Sequence, residues 1–417
     1  MIKNFLFYIL PTHLIYLIPA LLVTGPFLSD LSLIIVSIIF LVIVFIEKDY
    51  SIFKNKFFYI FIIFYFYIVL NSLIQNQNFD SLRISISYLR FGIFPLAVMY
   101  FLDKDPTLIK KIFYCLILLF LVLILDSIFQ YFVGYNFFGW KLIYPGPRVS
   151  SFFGDELILG SYLARLLPIL IGLMFFLDIS KKKLLLFLFI ILSSMFVVLI
   201  SGERTALFLM ILSFVLMFFL ISKKKIFLRY IILTTFAFCI IIISLSDTTR
   251  KRVVNVTLDK IFTKEKIYIF SRQHDEHYVS AIRMFKDKPL LGVGIKNFRI
   301  FCSEKKYFIS DYTCSPHPHN TYIQLLSETG MIGFVIIFSI FIYINYKLII
   351  HLINKISKKP LLSDFQVCLF IAVYLTLWPL IPSGNFFNNW LSIVYFYPVG
   401  ILLWSFKNNY SISYKTA

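Results

Sequence analysis

The chain has 417 residues, of which 60% are hydrophobic and 19% are aromatic, and its mean hydropathy is +0.86. Soluble domains are about 45–50% apolar, so this composition excludes an ordinary soluble protein. The formal net charge of +19 would suit nucleic acid, but the cations are confined to short segments between apolar runs. That distribution indicates membrane topology rather than a nucleic-acid surface.

Apolar runs about the length of a membrane span follow one another along the chain. A helix needs roughly 20 residues to cross about 30 Å of hydrocarbon, and the alternation typical of barrel strands is absent. We therefore predict an all-α polytopic membrane protein with about twelve transmembrane helices. The runs lie near 5–23, 31–46, 57–74, 84–102, 110–133, 156–177, 184–200, 204–221, 226–245, 331–350, 362–381 and 390–406.

The lysines and arginines predict the orientation of the spans. If the N-terminus is cytoplasmic, twenty of them fall in inside segments such as Lys181–Lys183 and Lys223–Lys225, and four fall in the short outside loops. The positive-inside rule then places both termini in the cytoplasm. The basic, apolar start of the chain could be a signal peptide, but it lacks a convincing small-x-small cleavage site, so we interpret it as the first span.

This topology divides the chain into helices one to nine at 1–245, an outer loop domain at 246–329, and helices ten to twelve with a tail at 330–417. Four arginines are notable outside the loop domain. Arg90 in the fourth run either has a function or extends to the membrane surface. Arg148 and Arg165 lie toward the outer side. The short turn Ser201–Thr205 puts Arg204 at the membrane boundary, where Glu203 either pairs with it or faces water.

The loop domain is basic by a margin of five charges. Apolar residues recur with helical spacing in YVSAIRMFKDK, Pro289 ends that helix, and LLGVGIKNF is a glycine turn. The Gly-x-Gly there lacks the context of a dinucleotide fingerprint, and we expect His274 and His277 to be solvated. So long a structured loop between spans is uncommon unless it is functional.

Two cysteines twelve residues apart precede a Pro-His-Pro-His-Asn turn at the end of the loop domain. Cys302 and Cys314 could form a disulfide in an oxidising compartment. The alternative, a zinc site with His317 and His319, matches no standard ligand spacing. The other three cysteines lie in apolar runs, where a small buried hydrophobe is the ordinary interpretation.

The histidine turn leads into a helix. Asn320 is suited to cap that helix, and Gly330 to stop it. His319 would then lie beside a helix N-terminus, where the dipole disfavours an imidazolium and keeps the side chain neutral, as a general base requires. Two interpretations stay open on these residues alone, a general base or a histidine that hydrogen-bonds within the loop.

At these residues the chain resembles the O-antigen ligase superfamily. His319-Asn320, nine residues, Gly330, two residues, Gly333 and an apolar run match its signature. SGERTAL around Arg204 looks like its outer-face arginine turn. Arg272 is similar to the arginine that precedes its Pro-Leu-x-Gly-Val-Gly segment. RVSSFFGDELILGSYLARLLP resembles its Arg-x-x-Gly-x-Phe segment, with Ser151 in place of the usual glycine. The resemblance covers roughly residues 145–345.

The resemblance implies a metal-independent, cofactor-free inverting glycosyltransferase of the membrane-embedded GT-C type. Such enzymes move a glycan from undecaprenyl diphosphate to an acceptor at the periplasmic face of the bacterial inner membrane. His319 would be the base, and Arg204 and Arg272 would stabilise the departing diphosphate. Partners would be membrane lipids, the lipid-linked donor, and a lipid A-core or lipid-linked glycan acceptor. Further substrate-binding candidates are Arg148, Arg165, Arg283, His317, Asn320 and Glu328.

Several functions are compatible with this sequence. An O-antigen ligase, which joins the glycan to lipid A-core, is the first, and an O-antigen polymerase that extends lipid-linked repeats is the alternative. A protein O-oligosaccharyltransferase is a further candidate. A transporter for the same lipid-linked sugar would show charges at mid-bilayer and internal repeats. No repeat is seen, and the polar residues cluster toward the outer face.

Overall fold

A computed structural model describes residues 5–75, 79–144, 147–178, 184–222, 225–263 and 266–408. In this part of the chain helices account for the regular structure, with only three isolated β-bridges besides. The predicted cytoplasmic cations Lys181–Lys183, with Lys223 and Lys224 of the next cluster, lie outside the described residues, as does the tail at 409–417.

The first half of the chain forms ten α-helices. They are α1 (Leu10–Val23), α2 (Pro26–Glu47), α3 (Lys56–Gln75), α4 (Phe79–Ser87), α5 (Leu89–Lys104), α6 (Leu108–Val133), α7 (Leu159–Phe176), α8 (Leu184–Ser201), α9 (Arg204–Leu220) and α10 (Lys225–Leu245). A π-helix at Phe5–Ile9 precedes α1, and single 3₁₀ turns lie at Tyr50–Phe53 and Ser151–Phe153.

The second half begins with short helices and ends with three apolar ones, of which α15 is the longest. They are α11 (Asp247–Arg250), a π-helix (Lys251–Asn255), α12 (Val256–Ile261), α13 (Arg272–Asp287), α14 (Phe298–Phe301), α15 (Thr321–Ile356), α16 (Asp364–Thr376) and α17 (Asn389–Lys407).

Within the described residues, eight helical segments are long and apolar enough to cross a membrane, and four shorter apolar helices accompany them. Each of the twelve predicted runs coincides with one of these helices. The chain is thus a multi-pass, all-helical membrane protein, as predicted. The number of twelve crossings, the GT-C class and the domain boundaries stay predictions.

Small residues allow the long helices to pack closely. Helix α17 lies against α5, and α16 lies against α7. A Cβ at Gly400 would lie 2.6 Å from the Cβ of Val98, and one at Gly172 would lie 2.8 Å from the Cβ of Cys368. Helix contacts in membranes depend on such van der Waals packing, because lipid tails are as apolar as the side chains.

Polar groups inside the bundle find partners within it. Pro19 in α1 has no N–H for the carbonyl of Ile15, and the hydroxyl of Tyr397 donates to that carbonyl at 3.3 Å. Arg90 forms an ion pair with Asp30, with Nε–Oδ1 at 2.9 Å, and Asn389 donates to the same carboxylate. Arg90 therefore joins α5 to α2 and α17, which gives it a structural role.

The segment between α10 and α15 has a small core of its own. Its buried residues are Ala281, Met284, Val293, Phe298, Cys302 and Tyr307. The structure joins Cys302 to Cys314 in a disulfide, with their Cα atoms 5.3 Å apart. This bond closes the loop that leads to the histidine turn, so it restricts the chain just before His317.

Candidate active site

A cavity of about 1250 Å³ lies where the ends of several helices meet. Its wall combines apolar side chains, among them Phe152, Phe208 and Trp390, with cationic side chains and histidines. The contributing segments include the α1–α2 turn, the loop before α7 and the α8–α9 turn. The π-helix at Lys251–Asn255, the histidine turn at 316–320 and the loop before α17 also contribute. Segments far apart in sequence thus form one site with both apolar and cationic surfaces.

Three arginines meet at the α8–α9 turn. Gly202 has φ +65°, and a Cβ there would lie 3.2 Å from Nε of Arg252 and 3.3 Å from Nε of Arg148. Arg148 donates from Nε to the carbonyl of Ser201 at 2.8 Å, and Arg204 donates to the hydroxyl of Thr257 at 3.2 Å. The glycine therefore gives two guanidinium groups room beside Arg204. We call Arg148, Arg204 and Arg252 the arginine cluster.

Glu203 neither pairs with Arg204 nor faces water. It is buried, and its carboxylate accepts from the backbone N–H groups of Gly160 at 2.6 Å and Ser161 at 3.0 Å. Both expectations for this residue were wrong, because a carboxylate at the N-terminus of α7 is stabilised by the exposed N–H groups and the helix dipole.

The arginine cluster consequently keeps its positive charge. Among the described residues no carboxylate forms an ion pair with its members. Burial lowers the pKa of Arg148, and the charges of Arg252 and Arg204 lower it further. The pKa of nearby Lys260 is lowered by burial and then by the same cations. Like charges brought together in this way are relieved by an anion, so the cluster is suited to a phosphate group.

The histidine turn is fixed from both sides. Asn320 caps α15, as predicted, with its Oδ1 accepting from Tyr322 N at 3.0 Å and Ile323 N at 3.1 Å. Its Nδ2 donates to the carbonyl of Pro379 at 2.7 Å. In return, Ser383 N donates to the carbonyl of His319 at 2.8 Å. His319 has φ +59°, a conformation that non-glycine residues rarely adopt. The loop before α17 therefore helps to hold His319 in place.

Four of the six histidines lie together at this turn. The ring centroid of His319 is 4.1 Å from that of His317, 5.3 Å from His277 and 5.6 Å from His274. His277 is buried and His274 is half-buried at the cavity, so the expectation that both are solvated was wrong. Their spacing on α13 gave no sign of the neighbouring turn, because that contact depends on the tertiary fold.

The histidines are neutral near pH 7. Burial, followed by the neighbouring His277, lowers the pKa of His319 to about 4. Burial is also the main cause that lowers the pKa of His274 to about 4 and that of His317 to about 3. The sequence predicted a neutral His319 from the helix dipole, and the structure supplies burial as the larger cause. An anion in the cavity would raise the pKa of His319 and make it a better base.

Acidification is expected to destabilise the protein through these histidines. Their folded pKa values lie below the unfolded value of about 6.5, so the unfolded state binds more protons and stability falls as pH drops from about 6.5 toward 4. Relative to pH 7, protonation of the unfolded chain at pH 5 should cost about 2 kcal/mol of stability for each of His274, His317 and His319. Thermal unfolding of the detergent-solubilised protein at pH 7 and pH 5 tests this, and the fall should be smaller in His317→Gln. An equal fall in the variant would contradict it.

Other predicted residues fall into two groups. Arg165 lines the cavity, is almost fully buried, and has an Nε without a hydrogen-bond partner. Arg272 does not line it: its Nε lies 2.9 Å from Glu276 Oε1, and its guanidinium stacks on Tyr312. Arg283 is exposed and donates to the carbonyl of Lys306. Arg204 and His319 thus both line the cavity, whereas Arg272, which is paired with Glu276, does not.

Glu328 and Gly330 lie behind the cavity and support its wall. Glu328 is fully buried and accepts from Gln324 Nε2 at 2.9 Å and Phe298 N at 3.3 Å. Gly330 interrupts α15 with φ +63° and ψ −168°. The backbone of the glycine turn runs beside this break, with Val293 N donating to the carbonyl of Ser327 at 2.8 Å. These residues therefore position the histidine helix rather than contact the cavity.

Several residues of the cavity escaped the sequence analysis. Arg252 belongs to the arginine cluster, and Lys296 and Arg299 also line the cavity. Arg252 lies in a basic stretch without a motif, and the other two follow the glycine turn that we interpreted as a connection. In the described part of the chain, no group of three or more His, Cys, Asp or Glu side chains is arranged to hold a metal ion.

Comparison with known proteins bears on the same region. Residues 186–338 match the family model of the O-antigen ligases. The predicted resemblance to the O-antigen ligase superfamily is thereby confirmed. The matched segment contains Arg204, Arg252, all four clustered histidines and Gly330, so it supplies part of the cavity wall. No curated protein matches the chain. The family supports a membrane glycosyltransferase-like function with lipid-linked glycan substrates.

Proposed function

We propose that the protein transfers a glycan from undecaprenyl diphosphate to an acceptor hydroxyl, most simply as an O-antigen ligase acting on lipid A-core. The observation that carries the proposal is the presence, in one cavity, of an arginine cluster without carboxylate partners and a neutral histidine. The first is suited to a lipid-linked diphosphate, and the second to the proton of the attacking hydroxyl.

The reaction has one bond made and one broken. The acceptor oxygen attacks the anomeric carbon while the bond from that carbon to the diphosphate oxygen breaks. The electron pair leaves with the diphosphate, whose added charge the arginine cluster stabilises. The proton of the acceptor hydroxyl passes to the imidazole of His319 and then to water. Attack opposite the leaving group inverts the anomeric centre, and neither step calls for a metal or cofactor.

The location follows from the same chemistry. With both termini cytoplasmic, the α8–α9 turn and the histidine turn face the periplasm of a bacterial inner membrane. The apolar residues that line the cavity beside the arginine cluster, including Phe208 and Ile261, suit a polyprenyl chain that stays in the membrane. Membrane lipids would border the rest of the bundle, where large apolar side chains such as Phe45 and Phe66 are exposed.

A lipopolysaccharide gel from a strain that lacks this protein tests the proposal. Loss of core-attached glycan, with lipid-linked polymer accumulating, supports a ligase. Single repeats attached to the core would support a polymerase, which uses the same donor chemistry with a lipid-linked acceptor. A pattern unchanged from that of the parent strain would contradict both functions.

Replacing Arg204 should weaken the donor interaction. We expect Arg204→Gln to lower glycan transfer by about 10-fold to 100-fold, because a charge-assisted contact to the departing diphosphate is worth about 1.5–3 kcal/mol. Transfer from purified lipid-linked donor in proteoliposomes gives the rate. Lys286→Gln, which removes one exposed cation outside the cavity, is the matched control and should transfer normally. Equal losses in both variants would show that the arginine cluster is not the donor site.

A further inference from the structure

We propose that Lys296 and Arg299 form a second anion site in the same cavity and bind a phosphate group of the acceptor. The proposal rests on the glycosyl transfer proposed above and names the chemistry of its second substrate. Both side chains line the cavity, and the charge of Arg299 acts on His317. We call them the distal cations.

The backbone that carries the distal cations is tightly held. Lys296 has φ +57°. The carbonyl of Ile295, on one side of it, accepts from Ser81 Oγ at 2.8 Å. The Nδ2 of Asn297, on the other side, donates to the carbonyl of Val293 at 2.9 Å. Two residues later Phe298 N donates to the buried Glu328. A segment fixed at so many points presents its two cations in a set position, as a binding site requires.

The distal cations lack a carboxylate partner of their own. In the described ranges neither Lys296 nor Arg299 forms an ion pair, and Glu328 is occupied by Gln324 and the backbone. Burial lowers the pKa of Lys296, and the charge of Arg299 lowers it further. The charge of Glu328 acts on Lys296 without an ion pair between them. Two neighbouring cations at a cavity wall with no ion pair in the described ranges are suited to a phosphate, as the arginine cluster is.

The histidines separate the distal cations from the arginine cluster. His274 is affected electrostatically by Arg204 and Lys260 on one side, and His317 is affected by Arg299 on the other. The rings of both histidines lie next to that of His319, at 5.6 Å and 4.1 Å. One diphosphate bound at the arginine cluster therefore leaves the distal cations free for a second anionic group, with His319 between the two.

The arrangement of the arginine cluster, His319 and the distal cations suits a transfer between two substrates that both carry phosphate. The donor's diphosphate would lie at one end, the acceptor's phosphate at the other, and the acceptor hydroxyl beside His319. Two sources carry such a phosphate: a phosphorylated sugar of a lipid-anchored core, and the diphosphate of a second lipid-linked glycan. The first belongs to a ligase and the second to a polymerase, so the identity of the phosphate also separates these functions.

Binding of a short-chain polyprenyl diphosphate to the purified full-length protein provides a test that is independent of activity. Titration calorimetry should find two sites. Arg252→Gln should weaken one of them about tenfold, and the double variant Lys296→Gln with Arg299→Gln should weaken the other by about the same factor. Lys286→Gln with Lys305→Gln, which removes two exposed lysines outside the cavity, is the charge-matched control for the double variant and should keep both sites. A single site, or a double variant with both sites intact, would overturn the proposal even if transfer is observed.

Kinetics in proteoliposomes then identify the acceptor. The double variant should raise the KM for the acceptor about tenfold and leave the KM for the donor unchanged. Phosphorylated lipid A-core, the same core after enzymatic dephosphorylation, and a lipid-linked glycan are compared. If the core phosphate is bound, the double variant and the native protein should have the same acceptor KM for the dephosphorylated core. If a second diphosphate is bound, the tenfold difference in acceptor KM should appear with the lipid-linked glycan. A raised donor KM with an unchanged acceptor KM would overturn the proposal, whereas no transfer by the native protein would refute only the proposed function.

Discussion

Replacing His319 by alanine is expected to reduce glycan transfer by about 10²-fold to 10⁴-fold, the usual contribution of a positioned general base. Its ring lies at the centre of the histidine group, and it is neutral because burial holds its pKa to about 4. Binding of an anionic donor would raise that pKa toward the working pH, so the base should strengthen when the substrate arrives. The effect should appear mainly in kcat, since the proton moves during the chemical step.

His317 offers a matched comparison. Its ring centroid is 4.1 Å from that of His319, but its Nε2 is 3.2 Å from the carbonyl of Ser383 and is engaged there. We expect His317→Ala to lower the rate of glycan transfer by about tenfold or less, because the substitution would only shift the histidine turn. The two variants are compared by their rates of transfer from purified lipid-linked donor, measured with equal amounts of folded protein. Unchanged transfer by His319→Ala would refute the base, and equal losses would make both histidines positioning residues.

Local signals in the sequence predicted the parts of the site that depend on neighbouring residues. The amide of Asn320 caps α15, Gly330 interrupts it, and the long apolar runs are helices, because each property depends on side chains within a few positions. The disulfide candidates also lie together in the structure. The family resemblance added the link between the histidine turn and the arginine turn, which no local signal contains.

Contacts between segments that are distant in the chain could not be predicted from the sequence. Arg252 joins the arginine cluster because Gly202 leaves room for it, and Ser383 holds the histidine turn across more than sixty residues. Neither has a periodicity or a spacing that one sequence reveals. Arg272 does not line the cavity, for the complementary reason. Its motif is local, whereas the direction of its side chain is decided by Glu276, four residues along the same helix.

Gly330→Ala is expected to lower the free energy of unfolding by about 3 kcal/mol or more, and to abolish transfer in cells through loss of folded protein. Gly330 has φ +63° and ψ −168°, a region essentially confined to glycine, where other residues are strained by about 1–3 kcal/mol. A Cβ would also lie 2.2 Å from the carbonyl oxygen of Leu290. Backbone cannot yield as a flexible side chain does, so the glycine turn would separate from the break in α15 and release the helix that carries Asn320.

Gly134→Ala separates the cost of the backbone conformation from the cost of the contact with Leu290. Gly134 also has positive φ, +94°, but a Cβ there would meet no atom within 4 Å, so this variant should lose only the conformational cost of about 1–2 kcal/mol. Thermal unfolding of both variants in detergent gives the difference, which reports the contact with Leu290. If Gly330→Ala is no less stable than Gly134→Ala, the close approach of the glycine turn does not hold the histidine helix. The glycine of the signature would then need an explanation other than packing.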